Sequence, residues 1–201
     1  MSLKSICVFG GSFNPPGIHH LHVAERLVQC KRFDVVLIVP CGLRPDKNPL
    51  YFVAPSLREA MVLETFGDVC GVWFDLSDIA KDEFTRTYDL DVKIRERFAP
   101  ADVWHFVGSD LLVGGVCGQS EIQRSWYRGQ DLWANLSFVT TIRPGYPLSA
   151  ADQPPHYLVV ETNRHGASTE IRHAVASGGQ FHELVVPGVA RLITENHLYG
   201  Y

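Results

Sequence analysis

Short runs of apolar residues, many of them β-branched, alternate along this chain with stretches whose apolar residues recur at helical spacing. Residues 34–39 contain a continuous run of the first kind, which is typical of a strand that is covered on both faces. Residues 20–30 are a stretch of the second kind, because Leu21, Ala24 and Leu27 fall on one helical face. Strands that alternate with helices form βαβ units, so the sequence predicts a doubly wound α/β fold with a mostly parallel sheet and helices on both faces.

The same periodicities predict the positions of the other elements. Strands are predicted at residues 6–9, 34–39, 72–74, 103–107, 138–142 and 157–160. Helices are predicted at residues 20–30, 55–67, 88–98, 169–176 and 189–197. Residues 114–125 are rich in Gly and Gln, and we expect them to form a mobile loop rather than a linker between domains. Residues 1–201 are therefore predicted to form a single domain.

Composition excludes several classes of protein. Apolar residues make up 46% and charged residues 20%, which is ordinary globular composition and not that of a disordered or fibrous chain. Lys and Arg total 18 against 22 Asp and Glu, whereas a general nucleic-acid binder is normally basic, so we expect no nucleic-acid partner. No apolar stretch approaches the roughly 18–20 residues that span a bilayer, so we expect no membrane partner. The five cysteines lack a pair spacing and favour reduced thiols, which indicates a cytoplasmic location.

A glycine-containing segment, residues 9–20, follows the first predicted strand and opens the first helix. Ligands of an open parallel sheet bind at the carboxyl ends of its strands, beside the N-termini of helices. Gly10 and Gly11 would let the backbone approach a phosphate closely, and His20 would add a side-chain donor. The glycines alone fit a tight turn with solvated histidines equally well. No Cys or carboxylate pair lies near the histidines at a ligand spacing, so we expect no metal ligand from the protein.

A second candidate for anion binding lies at residues 168–172, Ser-Thr-Glu-Ile-Arg, at the start of an amphipathic helix. Ser168 or Thr169 could simply be the N-cap of that helix, which would explain a hydroxyl there. The functional interpretation adds Arg172, which would donate to triphosphate oxygens together with the first N–H groups of the helix. Two anion motifs at the two ends of one chain are far more specific than either motif alone.

Both motifs resemble the signatures of the nucleotidyltransferase superfamily. Residues 10–15 are similar to its Gly-Gly-x-Phe-(Asp/Asn)-Pro motif, and residues 168–172 are similar to the end of its Ile-Ser-Ser-Thr-x-Ile-Arg signature. Over nearly its full length the chain resembles the nicotinate/nicotinamide mononucleotide adenylyltransferases. The segments that carry this further similarity are residues 44–47, 106–112, 126–127 and 142–147.

The resemblance implies a Rossmann-like fold and an activity in NAD biosynthesis. AMP would be transferred from ATP to nicotinate or nicotinamide mononucleotide, forming deamido-NAD or NAD and releasing pyrophosphate. His20, Lys47 and Arg172 would be the catalytic phosphate donors, and Mg²⁺ would come with ATP. The ATP-binding residues implied are Gly10, Gly11, Ser12, Phe13, His20, Arg143, Ser168, Thr169 and Arg172. The mononucleotide-binding residues implied are Asn14, Lys47, Tyr88, Asp89, Gly108, Asp110, Trp126 and Tyr127.

Three departures from the family's pattern fall at substrate-facing positions. Gly17 stands where the family has His or Thr, which removes a phosphate donor that His19 or His22 could replace, and Asp46 replaces a His. Asp89 replaces a Thr beside the pyridine substituent. At about 4 Å and an effective dielectric constant near 20, its repulsion of a nicotinate carboxylate would be about 4 kcal/mol. We therefore expect a shift towards nicotinamide mononucleotide, unless Asp89 is a solvent-facing carboxylate in the first turn of a helix.

The sequence leaves two other functions open. The first is a nucleotidyltransferase with a different phosphorylated acceptor, such as phosphopantetheine or a choline-type phosphate, although Trp126-Tyr127 and residues 143–146 argue against it. The second is a nucleotide sensor that binds ATP without turnover, which the donor missing at Gly17 suggests. A homo-oligomer is compatible with the sequence, which gives no further indication of the oligomeric state.

Overall fold

Six strands alternate with helices in the computed structural model of this chain, which describes residues 3–45 and 52–200. The strands are β1 (Ser5–Gly11), β2 (Val35–Pro40), β3 (Val72–Phe74), β4 (Asp102–Gly108), β5 (Ser137–Thr141) and β6 (His156–Val159). They form one sheet in the order β3-β2-β1-β4-β5-β6, in which β4 pairs in parallel with β1 and β5, and β5 pairs in parallel with β6. This strand order is that of a doubly wound sheet, so the predicted Rossmann-like α/β fold is confirmed.

Helices connect the strands. Those in the described residues are α1 (Ile18–Gln29), α2 (Pro55–Phe66), α3 (Ser77–Lys81), α4 (Thr87–Phe98), α5 (Glu121–Ser125), α6 (Gly129–Asn135), α7 (Ser168–Ala176) and α8 (Pro187–Glu195). The five predicted helices are confirmed as α1, α2, α4, α7 and α8. The other three were missed because five to seven residues are too few to show a helical period. No helix in the described part of the chain is long and apolar enough to cross a membrane.

The chain divides into two compact units, each made of three segments. The first unit comprises Met1–Phe9, Arg26–Leu37 and Thr85–Asn163, and its core contains Val107, Leu112, Ile122, Leu132, Leu136 and Phe138. The second unit comprises Gly10–Glu25, Ile38–Phe84 and Arg164–Tyr201, and its core contains Met61, Ile171, Val175, Phe181, Val185, Val189, Ala190 and Ile193. A single nucleotidyltransferase domain over residues 1–201 stays a prediction.

Residues 114–125 are more ordered than the loop we expected from their composition. A short 3₁₀ turn (Gly115–Cys117) is followed by α5, and Ile122 in that helix is fully buried. The side chain of Ser120 accepts a hydrogen bond from the N–H of Gln123, while the side chain of Gln123 accepts one from the N–H of Ser120. This capping box, Ser-x-x-Gln, was present in the sequence and predicts a helix start. The expectation of a continuous irregular loop is therefore wrong, whereas mobility of the segment stays a prediction.

Candidate active site

Arg58 supports the segment that follows β1 in the second unit. Its side chain is fully buried, and Nη1 donates to the carbonyl oxygens of Ser12 at 3.0 Å and Cys41 at 2.7 Å. Nε donates to the carbonyl oxygen of Val53 at 3.2 Å. Burial lowers the pKa of the Arg58 guanidinium, because the charged form loses its hydration. One buried cation thus holds three separate backbone segments through hydrogen bonds.

The glycines and Phe13 shape this segment. Gly10 is exposed and Ser12 is half-buried, whereas Phe13 is only 2% exposed. A Cβ on Gly11 would lie 3.0 Å from Cζ of Phe13, so the phenyl ring packs against a position that only glycine fits easily. The ring of Phe13 also meets His20 edge to face, with centroids 5.3 Å apart. A contribution of Phe13 to ATP binding would therefore come from its main chain.

Asn14 is the centre of a group of buried and half-buried polar residues, which we call the Asn14 cluster (Asn14, Pro15, Ser168, Arg172 and Tyr199). The side-chain Oδ1 of Asn14 accepts hydrogen bonds from the hydroxyl of Tyr199 at 2.9 Å and from the N–H of Val53 at 3.3 Å. Burial raises the pKa of Tyr199 above its usual range, so its phenol stays protonated as the donor. Direct binding of the mononucleotide by Asn14 stays a prediction.

The two signature segments of the sequence meet in the Asn14 cluster. Nη1 of Arg172 donates to the carbonyl oxygen of Asn14 at 2.8 Å, and Nη2 donates to the hydroxyl oxygen of Thr169 at 3.0 Å. The hydroxyl of Ser168 donates to the carbonyl oxygen of Pro15 at 2.8 Å. The structure thus brings together Ser168, Thr169 and Arg172 with the segment that follows β1.

The interpretation of Ser168 or Thr169 as the helix N-cap is wrong. Helix α7 begins at Ser168 itself, its N-cap residue is Ala167, and no side chain caps it. The two hydroxyls have other partners because Ser168 turns towards Pro15 and Thr169 receives the guanidinium of Arg172. Both hydroxyls thus bond to neighbouring groups without capping the helix, and binding of ATP by Ser168 and Thr169 stays a prediction.

His20 lies at the third position of α1 with one nitrogen already engaged. The N–H of Gly17 donates to Nδ1 of His20 at 3.0 Å, while the carbonyl oxygen of Gly17 accepts from the N–H groups of His20 and Leu21. The bond to Nδ1 corresponds to one half of a capping box, with an imidazole in place of Glu or Gln, because Gly17 has no side chain to form the other half. Because Nδ1 accepts, the proton of a neutral His20 ring lies on Nε2, which can then donate to an anion. Lys47, the third predicted phosphate donor, lies outside the described residues, as does Asp46.

In the first unit, Asp110 and Arg143 form an ion pair. Nη1 of Arg143 donates to Oδ2 of Asp110 at 3.1 Å, and the main-chain N–H of Arg143 donates to the hydroxyl oxygen of Ser109 at 2.9 Å. A Cβ on Gly108 would collide with Oδ1 of Asp110, so the pair requires glycine there. Oδ1 of Asp110 is buried, and no donor from residues 3–45 or 52–200 reaches it. Buried carboxylate oxygens normally have a donor, so this atom is suited to accept from a ligand hydroxyl.

Tyr88 and Tyr127 form a second group in the first unit, which we call the tyrosine cluster together with Arg86 and Arg128. The two rings meet edge to face with centroids 6.1 Å apart. The guanidinium of Arg86 lies 4.8 Å from the ring centroid of Tyr127, and that of Arg128 lies 4.1 Å from that of Tyr88. Arg128 also donates to Asp131 at 2.7 Å. The cluster presents flat rings with cations beside them, which suits a planar, electron-poor or anionic ligand.

Trp126 and Asp89 adjoin the residues of the tyrosine cluster in sequence. Trp126 is half-buried and packs against the core of the first unit, so part of its ring surface serves packing. Asp89 is exposed in the first turn of α4, where a carboxylate interacts favourably with the helix dipole. This position fits the solvent-facing alternative considered above. Direct contact of either residue with a pyridine ring stays a prediction.

Comparison with known proteins identifies the family. Residues 8–174 match the family model described as cytidylyltransferase-like. The chain belongs to this family. A relative from a Nitratiruptor species, named probable nicotinate-nucleotide adenylyltransferase, is 29% identical over 167 residues, which cover 83% of this chain and 86% of the relative. A relative of the same name from Shouchella clausii is 27% identical over 200 residues, which cover 98% of each chain.

Solved structures give the same fold for this cytidylyltransferase-like chain. Plasmodium falciparum nicotinic acid mononucleotide adenylyltransferase complexed with NaAD is similar with a TM-score of 0.81 and 22% identity, covering 98% of this chain and 97% of that one. The same protein complexed with APC is similar with a TM-score of 0.76 and 20% identity, over the same shares of the two chains. At such identities the likeness concerns the fold.

Arg58 and Tyr199 were not predicted from the sequence of this cytidylyltransferase-like chain. A signal for Arg58 was available, because it falls on the buried stripe of α2 with Met61, Val62 and Phe66, at spacings of three, four and eight residues. An arginine on an apolar stripe indicates a buried cation that hydrogen-bonds to neighbouring groups of the chain. Tyr199 carried no such signal, since its partner Asn14 lies 185 residues away.

Proposed function

We propose that the protein transfers the adenylyl group of ATP to a pyridine mononucleotide, nicotinate or nicotinamide mononucleotide, and releases pyrophosphate. One observation carries this proposal. Two hydrogen bonds, from Ser168 to the carbonyl oxygen of Pro15 and from Arg172 to that of Asn14, join the two anion motifs that the sequence places about 155 residues apart. The names of the curated relatives support the choice of acceptor.

The proposed chemistry needs charge neutralisation and positioning more than proton transfer. An oxygen of the mononucleotide's 5′-phosphate attacks the α-phosphorus of ATP, and a new P–O bond forms there. The bond between the α-phosphorus and the oxygen that bridges to the β-phosphate breaks, and pyrophosphate leaves with that electron pair. Nε2–H of His20 and the guanidinium of Arg172 donate to phosphate oxygens as their charge develops.

Mg²⁺ fits this site as an ion bound by the phosphate oxygens of ATP rather than by side chains of the protein. No three His, Cys, Asp or Glu side chains come together as metal ligands in residues 3–45 and 52–200, so the phosphate oxygens would supply the anionic ligands. When bound with ATP, Mg²⁺ would neutralise charge on the triphosphate. His20 and Arg172 are then the groups of this chain that hold the remaining phosphate oxygens, with Lys47 proposed as a third.

Residues of the first unit are proposed to recognise the mononucleotide and the adenine. The buried Oδ1 of Asp110 accepts from a ribose hydroxyl, with Arg143 fixing the orientation of the carboxylate through its bond to Oδ2. Arg143 itself lies over the adenine. Trp126 stacks on the pyridine ring, and Tyr88 and Tyr127 contact its edge, because flat π-systems pack well on aromatic side chains.

Release of pyrophosphate with a panel of acceptors tests the proposal. The protein is incubated with ATP, Mg²⁺ and one acceptor at a time: nicotinate mononucleotide, nicotinamide mononucleotide, phosphopantetheine or choline phosphate. We expect release only with the pyridine mononucleotides. Release only with phosphopantetheine or choline phosphate would replace the proposed acceptor, and ATP binding without release in any mixture would establish a nucleotide sensor instead.

A further inference from the structure

The ring of His19 occupies space that side chains at two other positions would need. A Cβ on Gly17 would lie 2.7 Å from Nδ1 and 2.8 Å from Cε1 of His19. A Cβ on Gly166 would lie 2.8 Å from the same Nδ1 and 3.1 Å from Cγ. The imidazole can therefore lie here only because positions 17 and 166 are both glycine. We call Gly17, His19 and Gly166 the His19 niche.

The His19 niche contacts the proposed catalytic histidine. The ring centroids of His19 and His20 are 3.9 Å apart, and their planes are inclined by 40°. Gly17, one wall of the niche, also donates its N–H to Nδ1 of His20 at 3.0 Å. The ring of His20 is thus held by the ring of His19 and by the main-chain N–H of Gly17.

The other wall of the niche belongs to the second signature segment. Gly166 lies two residues before Ser168, whose hydroxyl donates to the carbonyl oxygen of Pro15. The ring of His19 therefore lies between the segment that precedes α1 and the segment that precedes α7. Both segments carry groups that are proposed to bind phosphates, and the ring of His19 fills the space between them beside the hydrogen bonds that link them.

We propose that His19 is a positioning residue, which fixes the ring of His20 and fills the space between the two phosphate-binding segments. Nδ1 faces both glycines and Nε2 is buried, so His19 is placed to pack rather than to donate to a phosphate. The proposal rests on the adenylyl transfer proposed above. It also accounts for the departure at Gly17, because any side chain there would exclude the imidazole of His19.

The tautomer of His20 gives a test that needs no substrate. In the protein without ligands, ¹⁵N NMR of the imidazoles should show the Nε2–H tautomer for His20, as its bond from Gly17 requires. In His19→Ala we expect a mixture of tautomers, because the ring loses its packing partner and the bond from Gly17 loosens. An unchanged His20 signature in His19→Ala would overturn the proposal.

Kinetics of the same variants measure the effect on turnover. We expect His19→Ala to lower kcat roughly 10–50-fold, since small misplacements of a reacting group cost up to about 10²-fold, and to leave both KM values within about threefold. His19→Phe keeps a flat ring without nitrogens, and its kcat should recover to within about fivefold of the wild type. Equal losses in His19→Phe and His19→Ala would overturn positioning by packing. Gln29→Ala, at the exposed end of the same helix, is the matched control and should match the wild type.

A double-mutant cycle tests the mutual dependence of the niche. Gly17→Ala should lower kcat about as much as His19→Ala, because its methyl group displaces the imidazole. In the His19→Ala background the same change should cost less than about threefold, since the ring is gone and the other close atom, Cδ1 of Ile171 at 2.7 Å, is the flexible end of a side chain. Additive losses would overturn the proposal. If the wild type releases no pyrophosphate with any acceptor, the proposed function fails while the tautomer measurement still decides the role of His19.

Discussion

The Asn14 cluster and the tyrosine cluster are built from different kinds of contact. In the Asn14 cluster, side chains donate to main-chain carbonyl oxygens, as Arg172 does to Asn14 and Ser168 does to Pro15. In the tyrosine cluster, guanidinium groups lie over rings, and Tyr127 is 48% exposed. A main-chain acceptor cannot rotate away from its donor, whereas an exposed cation–π contact contributes only about 0.5–1 kcal/mol and can rearrange. The Asn14 cluster therefore suits phosphate groups, which need donors at fixed positions. The tyrosine cluster suits a flat ligand, around which its side chains can rearrange as the ligand binds.

The largest expected effect is on kcat, and it comes from the phosphate-binding residues of the second unit. His20→Ala should lower kcat by roughly 10²–10³-fold, the loss typical of removing one preorganised donor to developing charge. Substrate KM values should change much less, because the interaction strengthens as the transition state forms. Steady-state pyrophosphate release measures both, with Gln29→Ala on the same helix as the control. A near-normal kcat would show that His20 does not serve the reaction, and a matching loss from His19→Ala would shift the role.

Replacing Arg58 tests whether the segments around the Asn14 cluster depend on the hydrogen bonds that this buried side chain donates. Replacing it by Met leaves three carbonyl oxygens without their donor, so we expect the free energy of unfolding to fall by about 2–4 kcal/mol. Denaturant unfolding monitored by circular dichroism measures this. Arg191→Met removes an exposed arginine paired with Glu64 and should change stability by less than about 1 kcal/mol. Equal losses in the two variants would mean that burial of Arg58 does not matter.

Replacing Asp110 tests the proposed recognition of the mononucleotide by the first unit. Asp110→Asn keeps the shape of the side chain but weakens the acceptor, so the KM for the mononucleotide should rise about 10–50-fold, as expected for a hydrogen bond to a charged group. The kcat should fall less than KM rises. Asp102→Asn, exposed at the opposite end of β4, is the control and should leave KM within twofold. An Asp110→Asn enzyme with unchanged KM would remove Asp110 from the ribose site.

Tyr199 of the Asn14 cluster makes the stability of the protein depend on pH. Burial raises its pKa, so above about pH 10 the unfolded chain releases a proton that the folded chain keeps. The unfolded state is then favoured, and stability falls as pH rises. Tyr199→Phe should lose about 1 kcal/mol at neutral pH and then decline less steeply than the wild type above pH 10. Tyr157→Phe, at an exposed position, is the control, and identical slopes for the wild type and Tyr199→Phe would contradict the assignment.

Asp89 is expected to give the smallest effect. The sequence predicts that its carboxylate shifts preference towards nicotinamide mononucleotide, but exposure in the first turn of α4 means that solvent screens the charge. Asp89→Thr should therefore raise the ratio of kcat/KM for nicotinate over nicotinamide mononucleotide by only about two- to fivefold. Glu96→Gln, exposed on the same helix, should leave the ratio unchanged. No change in Asp89→Thr would show that Asp89 does not sense the ring.

The sequence predicts the periodic parts of this molecule and misses the contacts that depend on distance along the chain. Continuous apolar strands and amphipathic helices have local signatures, which is why β2 and α2 were found within one residue of their ends. The N-cap alternative for Ser168 is wrong because an N-cap is only the local solution for a hydroxyl near a helix start, whereas its partner in the structure, Pro15, lies 153 residues away. The His19 niche could not be predicted for the same reason, because Gly17 and Gly166 come to lie against the same ring only in the folded chain.

The hydrogen bond between Asn14 and Tyr199 has a consequence for biosynthesis. At a translation rate of roughly 5–20 residues per second, the 185 residues between the two partners take about 10–40 s to be made. During that interval the segment after β1 has been synthesised but lacks both the guanidinium of Arg172 and the phenol of Tyr199 for most of the time. A growing chain on the ribosome therefore cannot assemble the Asn14 cluster before Tyr199 has been synthesised.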